Sequence, residues 1–445
     1  MPFNFRGGIQ LISPKPTMNK AIEELDPPSE IILPLLMHKG TVCSPVVKVG
    51  DYVKIGQKVG DSTAAMSAPI FSSVSGTVTE IAPRLHPSGE EILSVVIKND
   101  FKDECVEVLP VHDRFRTLDA QELARIARDA GIVGLGGSAY PLSEKILNSA
   151  GKVDTLIING AECEPYISAD NRIMIEYTEE LYAGATVLAH ALGIKNIWLA
   201  VQSDKAGAIA ELRRFLAKKP GIKLCILHTK YPQGAEKQLI EAVTGRQTPP
   251  DGMAYDAAVI TVNVSTAVAL ARAAGEGLAL TTRVVTVAGK AVANPKNLLV
   301  RIGTPISELF KGCGGFLEHP DKIIMGGPMM GNSVASLDVP VIKGTNGVLA
   351  FCSGEGESKP QTDCIHCGKC VGVCPMNLMP FWIHRAYKFG KISECIEHNV
   401  FDCMECGSCA YVCPAHLSLV SEFRVIKKKL LENSSEIVEE KADEN

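Results

Sequence analysis

The sequence predicts a multidomain chain of the α+β class, and three observations carry this prediction. The chain has 445 residues, which is too long for a single hydrophobic core. Short β-type runs separated by glycine turns lie within residues 29–110, and helical patterns alternate with buried strands over 111–280. Two identical rows of cysteines stand within residues 346–430. These changes of pattern divide the chain into successive domains.

Composition and charge exclude several classes of protein. The chain is 46% hydrophobic and 21% charged with a formal net charge of −5, which gives no reason to expect nucleic acid as a partner. Met1–Gly8 contains no apolar segment of the kind found in signal peptides, and no run of about 18 uncharged apolar residues predicts a transmembrane helix. Many cysteines without an export signal indicate a reducing, cytoplasmic compartment.

The first two predicted units are a proline-rich arm at residues 1–28 and a small all-β domain at 29–110. We expect the arm to lie across another domain or another polypeptide. The all-β segment resembles the biotinyl/lipoyl barrel-sandwich hybrid domain, in which a lysine at a hairpin tip carries the prosthetic group. Here the tip at 64–68 has Ser67 at about that place. Because serine offers no amine, we expect an unmodified structural or docking module.

Residues 111–280 are predicted to form a Rossmann-like α/β domain with a mostly parallel sheet. Buried strand patterns begin at Asp154, Ile197 and Lys223, and helix-like stretches occupy 179–192 and 205–217. After this domain, short strands and turns at 281–345 predict a further small β unit.

A glycine-rich stretch enters a predicted helix early in the α/β domain. Gly134, Gly136 and Gly137 precede Tyr140, and Lys145 follows on the helix. Such a turn exposes backbone N–H groups and aims a helix dipole outward, which suits a phosphate. The pattern is not GxGxxG, and a tight strand-to-helix turn needing positive φ explains the glycines equally well. The residues alone leave both interpretations open.

Polar residues crowd the end of the strand that begins at Asp154. Asn159, Glu162 and Glu164 follow it within a few positions, where α/β sheets bind ligands. The two carboxylates are suited to accept hydrogen bonds from a ribityl chain or a nicotinamide ribose. The alternative is a solvated loop.

Eight of the 15 cysteines form the two rows, and each row ends in Cys-Pro. The first contains Cys364, Cys367, Cys370 and Cys374, and the second contains Cys403, Cys406, Cys409 and Cys413. This is the spacing of two-cluster ferredoxins, in which the fourth cysteine of each row ligates the cluster of the other. A zinc ribbon would use two CxxC pairs instead. We therefore predict a helical ferredoxin-like domain at 346–430 with two [4Fe–4S] clusters, and a chain that moves electrons.

The rest of the cysteines and the tail carry weaker signals. Seven cysteines show no ligand spacing and are predicted to be small buried hydrophobes: 43, 105, 163, 225, 313, 352 and 395. The acidic stretch at 431–445 is predicted to be disordered.

The glycine loop and the Asn159 stretch resemble the FMN- and NADH-binding subunit of respiratory NADH dehydrogenases. The resemblance implies that the loop glycines and Lys145 hold the flavin phosphate and that Tyr140 lines the nicotinamide-nucleotide side. It also implies that Asn159, Glu162 and Glu164 contact flavin and NADH. Further matches are Glu236, within 234–236, and Asn263, within 263–266. The chain departs from the pattern at Ala161, an aspartate in the respiratory subunit, and at Leu135, an arginine there.

The order of the domains narrows the resemblance to one family of subunits. Residues 281–345 resemble the β-grasp (SLBB) segment that follows the flavin domain in the same subunits. The whole order is similar to that of RnfC, the family of C subunits of Rnf ion-translocating ferredoxin:NAD⁺ oxidoreductases. This implies a peripheral subunit at the cytoplasmic face of the membrane with FMN, two [4Fe–4S] clusters and NAD(H). Its implied partners are membrane-embedded and ferredoxin-like Rnf subunits and, indirectly, ferredoxin. Hydride transfer to a flavin needs proximity more than proton chemistry, so we assign no general acid or base.

Three other functions remain as alternatives. A cobalamin reductase of the propanediol-utilisation type resembles RnfC, but the barrel precedes the flavin domain here. The A subunit of the quinone-linked Na⁺ pump shares the upstream domains but lacks the cysteine rows. The departures at Ala161 and Leu135 keep open an electron-wire subunit without an NAD site.

Overall fold

The structure, a computed structural model, describes residues 3–108, 117–355 and 359–443. A short arm ends in strand β1 (Ile22–Glu24), and four units follow it. The expected boundary between residues 110 and 111 lies outside the described residues. Across the described ranges, every helix is too short or too polar to cross a lipid bilayer.

The first unit is the predicted all-β domain. Its strands are β2 (Glu30–Pro34), β3 (Ser44–Pro45), β4 (Tyr52–Val53), β5 (Lys58–Asp61), β6 (Ile70–Phe71), β7 (Gly76–Leu85) and β8 (Glu91–Asn99). One antiparallel sheet has the order β2-β8-β7-β4 and a second has β3-β5-β6. Alternate residues of these strands, including Ile31, Leu33 and Val95, fill the core between the sheets.

The hairpin tip of this domain is docked on the rest of the protein. Ser67 is fully buried, and the Arg128 guanidinium donates to its carbonyl oxygen at 2.9 Å. The buried Lys343 ammonium donates to the carbonyl oxygens of Pro69 (2.5 Å) and Gly131 (2.7 Å). A tip held from both sides cannot swing, which agrees with the expected docking module.

The second unit is the α/β domain. Its elements are α1 (Ala120–Asp129), α2 (Leu142–Ser149), β9 (Thr155–Gly160), α3 (Ala169–Glu176), α4 (Thr178–Ala191), β10 (Asn196–Gln202), α5 (Ala206–Leu216), β11 (Ile222–Leu227), α6 (Glu236–Thr244), a 3₁₀ turn (Ala254–Ala257), β12 (Val259–Asn263) and α7 (Val264–Glu276). The four strands are all parallel, in the order β11-β10-β9-β12. The predicted strands and the helices near 179–192 and 205–217 are thereby confirmed. Because the chain moves from β9 to β10 and β11 on one side and then returns to β12 on the other, the sheet has a topological switch point between β9 and β12.

The third unit is a six-stranded sheet. It contains β13 (Thr282–Ala288), β14 (Lys296–Arg301), helix α8 (Ile306–Gly312), β15 (Lys322–Met325), β16 (Asn332–Val334) and β17 (Gly347–Phe351). The order is β1-β14-β13-β17-β15-β16. One boundary differs from that expected. The arm supplies an edge strand, β1, and so lies across another domain as expected, but the sheet continues past 345 to residue 351 because the fully buried β17 pairs with β13 and β15.

The fourth unit carries the cysteine rows on short helices. The elements of this unit are α9 (Lys369–Val373), α10 (Pro380–Lys388), α11 (Glu394–Glu397), a 3₁₀ turn (Val400–Asp402), α12 (Ser408–Tyr411) and the longer helix α13 (Leu419–Asp443), which follows the rows. The two rows repeat in conformation as well as sequence: Gly368 and Gly407 both have positive φ, at 72° and 80°, and each precedes the short helix of its row.

The sequence predicts disorder for residues 431–445, whereas the described part of that tail is helical. Helix α13 continues to Asp443, and residues 444–445 lie outside the described ranges. Glutamate is the commonest residue of this stretch and a good helix former, so a polar composition is compatible with helix as well as with disorder.

Candidate nucleotide site and cysteine cavities

Two asparagines meet at the switch point of the parallel sheet. Asn159 on β9 pairs in register with Asn263, the last residue of β12. The Asn159 amide nitrogen donates to the Gly234 carbonyl at 2.8 Å, and its amide oxygen accepts from the Ala161 backbone N–H at 3.1 Å. The Asn263 amide oxygen caps helix α7 by accepting from the Ser265 N–H at 2.9 Å. Both predicted asparagines therefore lie where an α/β sheet binds ligands.

The glycine loop lies directly over Asn263. A Cβ on Gly136 would come within 3.1 Å of the Asn263 amide nitrogen, so a larger residue there would crowd this approach. Gly137 has φ of +103°, and a Cβ there would meet no atom within 4 Å. The loop is fixed from below: the Leu135 N–H donates to the Thr266 hydroxyl at 2.8 Å, and its carbonyl accepts from the buried Arg283 at 2.8 Å. Its outer side is open.

A lysine and a glutamate pair at the mouth of this loop. The Lys145 ammonium on α2 contacts the Glu236 carboxylate in the first turn of α6 and donates to the Thr261 hydroxyl on β12 at 3.1 Å. Burial acts to raise the pKa of Glu236, but its contacts with Lys145 and Thr261 lower it overall. The two side chains are 25% and 36% exposed, so a ligand can reach them.

Tyr140 stands beside this pair at the start of α2. Burial and the negative charges of Glu144 and Glu236 raise the pKa of its phenol. The structure therefore brings together eight of the ten predicted nucleotide-site residues: Gly134, Gly136, Gly137, Tyr140, Lys145, Asn159, Glu236 and Asn263.

The other two predicted residues, Glu162 and Glu164, are engaged by backbone N–H groups. Glu162 accepts from Asp170 (2.6 Å) and Asn171 (3.2 Å) in the first turn of α3, which its charge complements. Glu164 accepts from the N–H groups of Met329 (3.1 Å) and Met330 (3.0 Å) in the third unit. Burial raises the pKa of each carboxyl to about 7. These carboxylates hold the loop that follows β9.

A buried lysine of the arm holds the same loop from below. The Lys15 ammonium donates to three carbonyl oxygens, those of Glu162 (2.9 Å), Glu164 (3.1 Å) and Ile167 (2.6 Å). Burial lowers its pKa to about 8. No pattern in the sequence predicts this contact, because Lys15 lies in an irregular, proline-rich segment.

The site's donors and acceptors suit a flavin nucleotide. Lys145 and the open glycine loop provide cationic and N–H donors for a phosphate, and the asparagines provide amides for a polyol or ring. Gln233, next to Gly234, is fully buried, and neither polar atom of its amide has a partner within the described structure. A buried amide without partners needs a ligand or water to satisfy it. The residues therefore fit FMN.

A separate cavity lies elsewhere. It has a volume of about 130 Å³ between α7, the loop at 278–282 and β13, and its lining includes Leu135 and Ser265. Neither Lys145 nor Glu236 lines it. We place the nucleotide site at the switch point because the convergent polar groups lie there.

The cysteines surround two further cavities, and each cavity mixes the rows. One is lined by Cys364, Cys367 and Cys370 of the first row with Cys413 of the second. The other is lined by the remaining four: Cys374, Cys403, Cys406 and Cys409. This is the crossed arrangement that the spacing predicted. In the described ranges, no three His, Cys, Asp or Glu side chains converge closely enough to hold a single metal ion.

The cysteine sulfurs have the surroundings that a cluster requires. The Leu378 N–H donates to Cys374 Sγ and the Glu405 N–H donates to Cys403 Sγ, both at 3.4 Å. Burial raises the pKa of the Cys374 thiol, and it raises that of Cys403 to about 11. Coordination to iron removes that penalty because a coordinating thiol is deprotonated. Two cavities with four cysteines each fit two [4Fe–4S] clusters.

The second cavity lies against the α/β domain. The Tyr231 hydroxyl, three residues before Gly234, donates to the Cys406 carbonyl at 2.7 Å. The Gln238 amide on α6 donates to the Pro375 carbonyl at 3.2 Å. Tyr231 and Cys406 share a buried apolar cluster with Cys163. Cys163 is thus half-buried between the two sites, while Cys105 is exposed, contrary to the expectation that it is buried.

Four family models match the chain in succession. They are the RnfC barrel sandwich hybrid domain (residues 3–102), the Nuo51 FMN-binding domain (127–272), the SLBB domain (284–333) and the 4Fe-4S dicluster domain (358–414). The domain kinds and their order agree with the sequence prediction.

Three curated relatives match most of the chain, and each is the C subunit of an ion-translocating oxidoreductase complex. That of the Na⁺-translocating ferredoxin:NAD⁺ oxidoreductase complex from Acetobacterium woodii is 40% identical over 91% of this chain and 91% of its own length. The C subunit of the proton-translocating ferredoxin:NAD⁺ oxidoreductase complex from Clostridium ljungdahlii is 41% identical over 85% of this chain and 83% of its own length. The C subunit of the ion-translocating oxidoreductase complex from Rhodobacter capsulatus is 41% identical over 97% of this chain and 84% of its own length. Among solved structures, an NAD⁺-reducing [NiFe]-hydrogenase in its H₂-reduced state has a TM-score of 0.49 and 18% identity over 65% of this chain and 60% of that chain.

Proposed function

This chain belongs to the RnfC family, the C subunits of ion-translocating oxidoreductase complexes, and we propose that it is the flavin- and iron–sulfur-containing subunit of a ferredoxin:NAD⁺ oxidoreductase of that type. In this proposal the chain holds FMN and two [4Fe–4S] clusters and exchanges electrons with NAD(H). It lies at the cytoplasmic face of the membrane beside membrane-embedded and ferredoxin-like partner subunits, and ferredoxin electrons reach it through a partner.

One observation carries the proposal: a cysteine cavity and the switch-point site are joined by direct buried contacts. Tyr231 bonds to the backbone of Cys406, while the nearby residues Gln233 and Gly234 lie at the flavin site. The contact supports electron exchange between the two sites.

The chain's residues divide the work of the nucleotide site. The glycine loop and Lys145 bind phosphate, Asn159 and Asn263 orient the ring system and polyol, and Glu162 and Glu164 hold the wall of the site. FMN, when bound, supplies the conversion between two-electron hydride transfer and one-electron transfer. Tyr140 lines the side from which a nicotinamide nucleotide approaches. No side chain is assigned a proton transfer.

The positions of the two cysteine cavities also support an order for the two proposed clusters. The cavity lined by Cys374, Cys403, Cys406 and Cys409 touches the α/β domain through Tyr231 and Gln238, so we name it the inner cavity. The cavity with Cys413 is the outer cavity, and Ile365 in its lining is 65% exposed. We propose that electrons from a partner enter at the outer cluster and pass through the inner one to the flavin site.

The test is a cofactor and titration experiment on the purified full-length chain. We expect FMN, iron and acid-labile sulfide in the ratio of one flavin to two [4Fe–4S] clusters, and a flavin absorbance band that NADH bleaches. Cluster absorbance without any flavin, even after incubation with FMN, would refute the flavin assignment and leave an electron wire. Rapid reduction of cob(III)alamin by NADH, with no reaction towards ferredoxin, would instead support the cobalamin reductase.

A further inference from the structure

We propose that Lys39 of the barrel-sandwich domain is a phosphate-binding residue of the nucleotide site, which is therefore built by two domains. This inference deepens the proposed function and rests on it. The resemblance to flavin-binding subunits assigns Lys39 no role, because this lysine lies outside the domain that carries the flavin motifs.

The turn that bears Lys39 is held in one conformation. Gly40 has φ of +109°, and a Cβ there would lie 2.0 Å from the Met66 carbonyl oxygen, so only glycine fits. The Thr41 N–H donates to the same carbonyl at 2.8 Å. The buried His38 ring bonds through Nε2 to the Thr41 carbonyl at 3.0 Å and to the Ser67 hydroxyl at 3.1 Å. The turn is thus fixed on the docked hairpin tip.

This turn is bonded directly to the glycine loop. The Lys39 backbone N–H donates to the Ala139 carbonyl at 2.9 Å, and Ala139 has φ of 51°. Ala139 lies between the loop glycines and Tyr140. The barrel domain therefore places Lys39 at the rim of the loop, on an otherwise rigid support.

The positive charge of Lys39 acts on Glu236, on the other side of the site. It is one of the groups that lower the pKa of Glu236 and so stabilise its ionised form. Glu236 already has Lys145 and Thr261 as direct partners, whereas Lys39 is exposed to solvent. Two lysines thus act on one carboxylate at the mouth of the open loop. The positive charges of Lys39 and Lys145 and the N–H groups of the loop together suit an anionic group, and in the proposed function that anion is a nucleotide phosphate.

The phosphate has two possible sources, the 5′-phosphate of FMN or the pyrophosphate of NAD(H). The experiment compares Lys39→Met with Lys39→Arg and with Lys48→Met, an exposed lysine of the same domain that serves as the matched control. Each full-length variant is titrated with FMN, with riboflavin, which lacks the phosphate, and with ADP-ribose, which carries the pyrophosphate without a nicotinamide. Flavin fluorescence and calorimetry give the dissociation constants at low and high salt.

We expect Lys39→Met to raise the dissociation constant of one of the two phosphate ligands, FMN or ADP-ribose, by roughly fivefold at low salt. The effect should be smaller at high salt. Riboflavin binding should not change, Lys39→Arg should retain most of the affinity, and Lys48→Met should match wild type. If only the affinity for FMN falls, Lys39 binds the flavin phosphate. If only the affinity for ADP-ribose falls, Lys39 binds the pyrophosphate of NAD(H). Equal affinities of Lys39→Met and Lys48→Met for both phosphate ligands would overturn the inference. If wild type binds neither FMN nor ADP-ribose, it is the proposed function that fails, and Lys39 with it.

Discussion

The proposed crossed ligation of two clusters makes a sharp prediction about pairs of cysteine substitutions. The inner cavity contains Cys374 from the first row and Cys403 from the second, whereas Cys364 lines the outer cavity. Each single substitution to alanine removes one ligand of one cluster. A cluster that loses one of its four thiolates is expected to be lost or severely damaged, so each single variant should keep about half of the wild-type iron.

The double variants separate crossed from uncrossed ligation. If Cys374 and Cys403 serve the same cluster, changing both to alanine should remove no more iron than changing either, because the outer cluster keeps all its ligands. Changing Cys364 and Cys374 together should remove essentially all the iron. Uncrossed ligation predicts the opposite pair of results, so the two arrangements differ by half of the total iron in each double variant.

The assay is iron and acid-labile sulfide per chain, with EPR of the dithionite-reduced protein. FMN content is measured in parallel, because a retained flavin shows that the α/β domain is still folded. Wild type should show the complex spectrum of two interacting clusters, and each single variant should show one isolated centre. Iron lost completely from the Cys374/Cys403 double variant, with half retained in the Cys364/Cys374 variant, would refute the crossed arrangement.

Three single contacts lead to further predictions. Lys145→Met should weaken FMN binding by about tenfold or more, because it removes a charge-assisted contact and leaves Glu236 without its direct cationic partner. Fluorescence titration measures the affinity, and an unchanged value would contradict this role. Tyr231→Phe should lower the free energy of unfolding by about 1–3 kcal/mol, because the buried Cys406 carbonyl loses its donor. Urea unfolding measures this change, and a difference within error would contradict the predicted contribution of the hydroxyl. Burial and the charges of Lys343 and Arg128 lower the pKa of His38 to about 4, so the unfolded chain takes up a proton first as pH falls below about 6.5. Wild type should therefore lose more stability than His38→Gln between pH 7 and pH 5, and equal losses would contradict the lowered pKa.

Repeated and periodic features could be predicted from the sequence because they follow from local rules. The buried runs beginning near Asp154, Ile197 and Lys223 form parallel strands β9, β10 and β11, since strand patterns bounded by helices favour α/β units. The rows repeat in backbone conformation because the same ligand spacing requires the same turns, and Gly368 and Gly407 show this directly.

Contacts between distant segments could not be predicted in this way. Glu162 and Glu164 have the composition of ligand-binding residues, yet their carboxylates bond to the backbones of α3 and the third unit. Nothing local distinguishes a carboxylate that meets a ligand from one that meets an N–H group of another segment. Thr261 and Tyr231 were missed for the same reason, because their roles arise only when α2, α6 and the cysteine domain meet.

The N-terminal arm contacts both the proposed flavin site and the proposed inner cluster cavity, which would keep the two at a fixed separation. Its Lys15 ammonium holds the loop that follows β9, on the flavin side. Nearer its start, the Gly8 N–H donates to the Val373 carbonyl at 2.8 Å, and a Cβ on Gly7 would lie 2.6 Å from the Cys374 carbonyl oxygen. The arm therefore touches the backbone on which an inner-cluster ligand stands and the wall of the nucleotide site. Because one continuous segment contacts both, with Tyr231 between them, we expect the proposed inner cluster to act as a fixed wire to the proposed flavin site rather than as a carrier that must dock for each electron.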